Sequence, residues 1–268
     1  MTKMLRKIVS VIVAVVIMVF LIGPIVAILP LAFTSNIFLT YPIHAFSFRW
    51  FETLMSSDTW HRSIVNSLII GSCSTLLATV LGTMAALGLR GKRLPFAGAV
   101  KTAFLLPMVV PAVVLGVGTQ IVFGRMGIAS TYIGVIAAHT VLALPFVLVN
   151  VLGSLSAINP ALERAASSLG AKPLSIFVRV VMPLAMPGIV SGAVFAFATS
   201  LDEVVITLFV AGPNQWTLAL QMFSSLRENV TPAVTAAAFV LILGTMTLIG
   251  VTALVKARLQ RGAALKGA

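Results

Sequence analysis

Six runs of apolar residues, each long enough to cross a lipid bilayer, divide this chain and leave it few alternatives. They fall at about 8–33, 66–89, 100–123, 132–152, 184–211 and 233–255. A hydrocarbon layer of about 30 Å needs about 20 helical residues at ~1.5 Å each. Of the 268 residues 59% are hydrophobic and 9% charged, against roughly 45–50% and 25% in soluble domains. Such a chain cannot coat itself with polar surface. In lipid its backbone groups must be satisfied internally, so an all-α bundle is expected, a single transmembrane domain over residues 1–268.

The first run follows Lys3, Arg6 and Lys7 and could pass for a secretion signal. It is longer than a signal core of roughly 7–15 residues and ends in no clear small-x-small site, so a retained helix is expected. The single cysteine, Cys73, lies inside an apolar run and leaves no intramolecular disulfide to form.

A formal charge of +12 raises the question of nucleic acid. The distribution answers it differently. Fourteen basic residues fall in alternate segments between the runs: Lys3, Arg6, Lys7; Arg90, Lys92, Arg93, Lys101; Arg164, Lys172, Arg179; Lys256, Arg258, Arg261, Lys266. Arg49, Arg62, Arg125 and Arg227 complete the 18 on the other side. Basic residues concentrate in cytoplasmic loops, so both termini are expected in the cytoplasm, with no nucleic-acid partner. Residues 34–65, with Trp50, Phe51 and Trp60, suit a short amphipathic helix at the outer interface.

The internal loop 156–183 is the most informative. Asn159 and Pro160 form a helix start, Glu163 suits its first turns, and Gly170 fits a left-handed stop. A second helix starts near Pro173 and runs through Ile176, Phe177, Val180 and Val181. Two short helices about a tight turn make a rigid cytoplasmic knob, either for docking or for packing under the bundle.

Arg164-Ala165-Ala166-Ser-Ser-Leu-Gly170, nine residues, then Val180-Val-Met-Pro183 resembles the EAA loop of permeases in binding-protein-dependent ABC importers. Ala165, Ala166, Gly170 and Pro183 match in register. The family glutamate falls on Arg164, whereas Glu163 stands one place earlier, about 100° round a helix. The resemblance implies a type I importer permease (MetI-like) of six spans. It also implies a homologous permease partner, two ATP-binding subunits that hold ATP and Mg, an external solute-binding protein, and a bacterial inner membrane. Glu163 or Arg164 would face the ATPase. This chain supplies no nucleotide site: Gly91-Lys92-Arg93 lacks the Ser/Thr and upstream Gly of a phosphate loop.

Asp202 and Glu203 are the only acids inside a run. A carboxylate at mid-bilayer costs about 2.5–3.5 kcal/mol on insertion scales, so the pair needs a reason. Either they attract a cation on its path inward, or they are bonded to a helix or protonated. Asn66, Ser67, Gln120 and His139 are weaker candidates for the path, and His139 is expected to bond between helices. The segment Ser200–Pro213, with Thr217-Leu218 and Met222–Arg227, is similar to the spermidine/putrescine branch of these permeases. That implies a polycationic solute. Permeases for organophosphonates, opines or ferric iron share much of this segment. A lone ion-coupled carrier is the rival of another class, but it would be expected to show internal repeats. Gly188 and Gly192 form a close-packing pair, and Pro107 and Pro111 should kink or interrupt the third run.

Overall fold

A computed structural model describes residues 2–91 and 95–266, with side chains described over 4–91 and 95–254. Twelve helices follow one another among these residues: α1 (Thr2–Ile28), α2 (Arg49–Ser56), α3 (Asp58–Arg90), α4 (Ala97–Val109), α5 (Ala112–Met126), α6 (Tyr132–Ser156), α7 (Pro160–Ser168), α8 (Pro173–Ile176), α9 (Met182–Asp202), α10 (Val205–Val210), α11 (Leu218–Glu228) and α12 (Pro232–Lys266). Five stretches are long and apolar enough to span a membrane: Met4–Phe33, Asp58–Arg90, Tyr132–Ser156, Pro173–Asp202 and Pro232–Leu254.

The third run departs from a simple span. Its expected range, 100–123, is split at Val110-Pro111 into α4 and α5, which meet at 105°. Val110 is extended, as a residue before proline prefers, and Pro111 has no N–H to continue the ladder. Pro111 therefore interrupts the run, whereas Pro107 stays inside α4. The fifth run, expected as one helix over 184–211, also breaks: α9 stops at Asp202, Glu203 is extended, and α10 resumes for six residues.

The chain forms two compact units, residues 1–61 with 222–243, and residues 62–221 with 244–268. In the first, Phe33, Phe48, Phe51 and Phe239 cluster with ring centroids 5.1–6.0 Å apart. Arg49 lies over the Trp50 ring and donates to the Ser35 carbonyl. The expected amphipathic helix of this region is α2, with Trp50 and Leu54 buried.

In the second unit α6 is the central element. Its core partners are small or β-branched: Ala143, Val147 and Val151 meet Ala78 and Ala86 of α3 and Ala185 and Ala196 of α9. Lipid gives no hydrophobic drive to helix association, so close van der Waals contact must hold such a pair together. Gly188 and Gly192 allow it. A Cβ built at Gly188 would clash with the Ser154 side chain and lie 2.6 Å from the Asn150 carbonyl, and one at Gly192 would lie 2.9 Å from Val147 Cα. These neighbours are largely backbone and cannot swing aside.

Replacing Gly188 with Leu is expected to destabilise the purified protein by about 1–3 kcal/mol, the usual cost of overpacking. Gly118→Ala, where nothing lies within 4 Å, should be neutral. Thermal unfolding in detergent, followed by gel filtration, checks both.

Candidate functional site: an exposed hairpin and a broken helix

The hairpin forms as its residues dictate. Asn159 Oδ1 accepts from the Ala161 N–H at 2.9 Å, and Pro160 opens α7. At the other end Gly170 takes φ +80°. Its N–H donates to the Ser167 carbonyl at 3.0 Å, and the Ala171 N–H donates to the Ala166 carbonyl at 3.1 Å. This is a Schellman stop, which strongly favours glycine. No residue of α7 is buried. Leu169 and Leu174, flanking the turn, are 89% and 73% exposed.

The second arm differs from the separate helix expected. α8 passes through a π-helical turn, Phe177–Val181, directly into α9, so residues 173–202 run as one helix. Pro183 has no N–H to bond four residues back, and its ring crowds the carbonyl there. The widened turn just before it accommodates both defects. The knob is thus the end of a rod of about 45 Å at ~1.5 Å per residue.

Glu163 and Arg164, left equivalent by sequence, are placed differently. Glu163 Oε1 accepts from Arg90 Nη2 at 2.6 Å, joining α7 to the last residue of α3. Arg164 is exposed, as is Ala165; Ala166 is half-buried and Pro183 exposed. Sequence reasoning placed Arg90 on the same membrane side but did not single it out as a partner. The charge excess of that side was the available signal. Lys92 and Arg93 lie outside the described residues, as do the side chains of Lys256, Arg258, Arg261 and Lys266.

At the break after α9 the two acids also part. Glu203 Oε1 accepts from the Ile206 N–H at 2.7 Å, so this carboxylate caps α10. Asp202 is exposed at the C-terminal end of α9 and has no partner among the described residues. The helix end carries partial negative charge of its own, which adds to that of the carboxylate.

His139 is 1% exposed and bridges three helices. The Thr207 hydroxyl donates to the Glu203 carbonyl at 3.1 Å, so it accepts from His139 Nε2 at 2.9 Å. Nδ1 then accepts from the Ser200 hydroxyl at 2.7 Å, and Ser74 donates to Ser200 at 3.3 Å. This tautomer satisfies every group and ties α6 to both sides of the broken segment.

Asn66 lies at the other end of α3, 1% exposed. Its amide donates to the Asn214 and Trp216 carbonyls, both at 2.9 Å, and accepts from the Tyr132 hydroxyl at 2.7 Å. Ser67 accepts from the Leu218 N–H at 2.8 Å, and Arg62 donates to Asn214 at 3.0 Å. These residues pin segment 214–218 across the starts of α3 and α6. Both amide donors of Asn66 are already engaged there. The buried carbonyl oxygen of Gln120 has no partner among the described residues.

A rod of helix long and apolar enough to span a membrane, ending in an unburied knob and carrying an exposed carboxylate at its far tip, suits the membrane-spanning subunit of a transporter. The chain belongs to the family of binding-protein-dependent transport system inner membrane components, whose model matches residues 78–262. It is 34% identical over 240 residues to the putrescine transport system permease protein PotI of Escherichia coli, covering 86% of this chain and 84% of that one. It is 32% identical over 210 residues to the spermidine/putrescine transport system permease protein PotC of Haemophilus influenzae, covering 78% and 82%. Its fold is that of a chain in a bacterial ABC transporter involved in alginate import, with TM-score 0.72 at 14% identity over 93% of this chain and 96% of that one.

Single charge reversals Arg90→Glu and Glu163→Arg should each loosen the hairpin, and the double reversal should recover it. With both side chains partly solvated, the coupling energy expected from a double-mutant cycle in thermal unfolding is about 0.5–1 kcal/mol.

Proposed function

We propose that this chain is the permease subunit of a bacterial polyamine importer, moved by ATPases that it does not itself contain. The α7 hairpin carries this reading. Its turn is fixed by a Schellman stop, its surface is unburied, and its second arm is continuous with a spanning helix. A partner that pushes the knob moves α9 as a body. Arg164 and the exposed leucines face that partner, while Glu163 holds the knob to α3 through Arg90. ATP and Mg are bound by the two ATPase subunits. A homologous permease completes the path, and an external binding protein delivers the solute. Arg90 and Glu163 meet at the end of the bundle opposite Asn66 and Asn214. Basic residues concentrate at the hairpin end, which supports cytoplasmic termini in the inner membrane.

The polyamine cargo rests on the named relatives, PotI and PotC, and on chemistry at the break. Asp202 offers an unpaired carboxylate at the negative end of α9, where a diffusing polycation would lose little of its solvation. Glu203 keeps the break in shape by capping α10.

Two variants test the two halves. Gly170→Val, forcing a β-branched residue into φ +80°, should leave membrane insertion intact and reduce putrescine uptake at least about tenfold, since each 1.4 kcal/mol of strain is tenfold. Unchanged uptake would remove the coupling role. Asp202→Asn should raise the putrescine concentration needed for half-maximal uptake several-fold in vesicles loaded with ATP. A wild-type profile would assign Asp202 to structure alone.

A further inference from the structure

A cavity of about 700 Å³ opens at the hairpin end of the second unit, between the end of α3, the start of α4, the end of α6 and Pro160 of α7. Its lining is apolar along Leu89, Ala97, Val149 and Leu152, and carries two cationic side chains, Arg90 and Lys101, with no acid among the lining residues. Arg90 spends one of its five guanidinium donors on Glu163. Lys101 has no partner among the described residues and is exposed. α4 buries none of its residues, and Leu106, Met108 and Val109 continue its exposed apolar surface away from the cavity. Phe96, which precedes Ala97, is 83% exposed and held at φ +57°, a strained conformation for a bulky residue with so little packed against it.

We infer that this cavity is a binding site for an anionic phospholipid, its phosphate held by Lys101 and the free edge of Arg90 and its acyl chains laid along α4. The occupant must be negative at one end and apolar at the other, which excludes zwitterionic lipid as the preferred ligand and a free anion as the complete one. Basic pockets between spanning helices at the membrane surface have this character. The position has a consequence. Arg90 serves both the lipid phosphate and Glu163, so a bound headgroup would bear on the residue that anchors the hairpin. The inference does not depend on the identity of the transported solute.

Native mass spectrometry of the intact transporter, extracted from vesicles of phosphatidylglycerol and phosphatidylcholine in equal parts, tests it. Phosphatidylglycerol should remain bound in preference to phosphatidylcholine. Lys101→Glu should lower its retention at least about fivefold, the effect of one cation at a membrane surface, and Lys101→Arg should restore it. Lys7→Glu, the same charge change at an exposed position of α1, should leave retention unchanged. Thermal unfolding of each variant verifies that it is folded. Three results would overturn the inference: equal loss in Lys101→Glu and Lys7→Glu, equal retention of the two lipids, or displacement of the lipid by millimolar inorganic phosphate.

Discussion

The contact between α6 and α9 is the constraint on which the remaining arrangement depends. At Gly188 and Gly192 there is no room for a side chain, because the Asn150 carbonyl and Val147 Cα already occupy it. In a bilayer, where burying leucine against leucine gains nothing over lipid, this proximity supplies the association that a hydrophobic core would supply in water. It also fixes the axial position of α9. The polar chain from Ser74 through Ser200 and His139 to Thr207 can close only if that position is held, since its distances fall within 2.7–3.3 Å.

A rod held in this way transmits what is done to its ends. At one end lies the hairpin, rigid because Asn159 caps its start and Gly170 closes its turn. At the other lies Asp202, where the helix stops. A π-helical turn lies between them, just before Pro183. It lets a proline-containing spanning helix continue into the knob without a hinge. The pair Arg90–Glu163 gives the knob a second attachment, to α3. A push on the hairpin thus reaches two helices of the bundle rather than one.

Much of this was legible in the sequence, and for local reasons. Capping residues, Pro160 and Gly170 specify a helix and its stop within a dozen positions, and the hairpin's first helix follows them closely. The apolar runs specify spans because length is all a span requires. What was not legible depends on tertiary partners. Nothing near Glu163 announces Arg90, 73 residues earlier. Asn66 reads as a polar residue near a membrane path, yet both its amide donors are engaged by carbonyls about 150 positions away. The adjacent acids, Asp202 and Glu203, differ because the helix breaks between them and the next helix start, and a break of two residues leaves little signal in an apolar run. The proline pair of the third run announced an interruption, but not a bend of 105°.

The hairpin's role as an inward-facing handle is tested most directly by its accessibility. In a Cys73→Ser background, Leu169→Cys would place a single thiol at the exposed turn. A membrane-impermeant maleimide should leave this cysteine unlabelled in intact cells and label it after permeabilisation, and labelling should fall when the partner ATPase is co-expressed. Rapid labelling in intact cells would put the knob on the outer face and contradict the account.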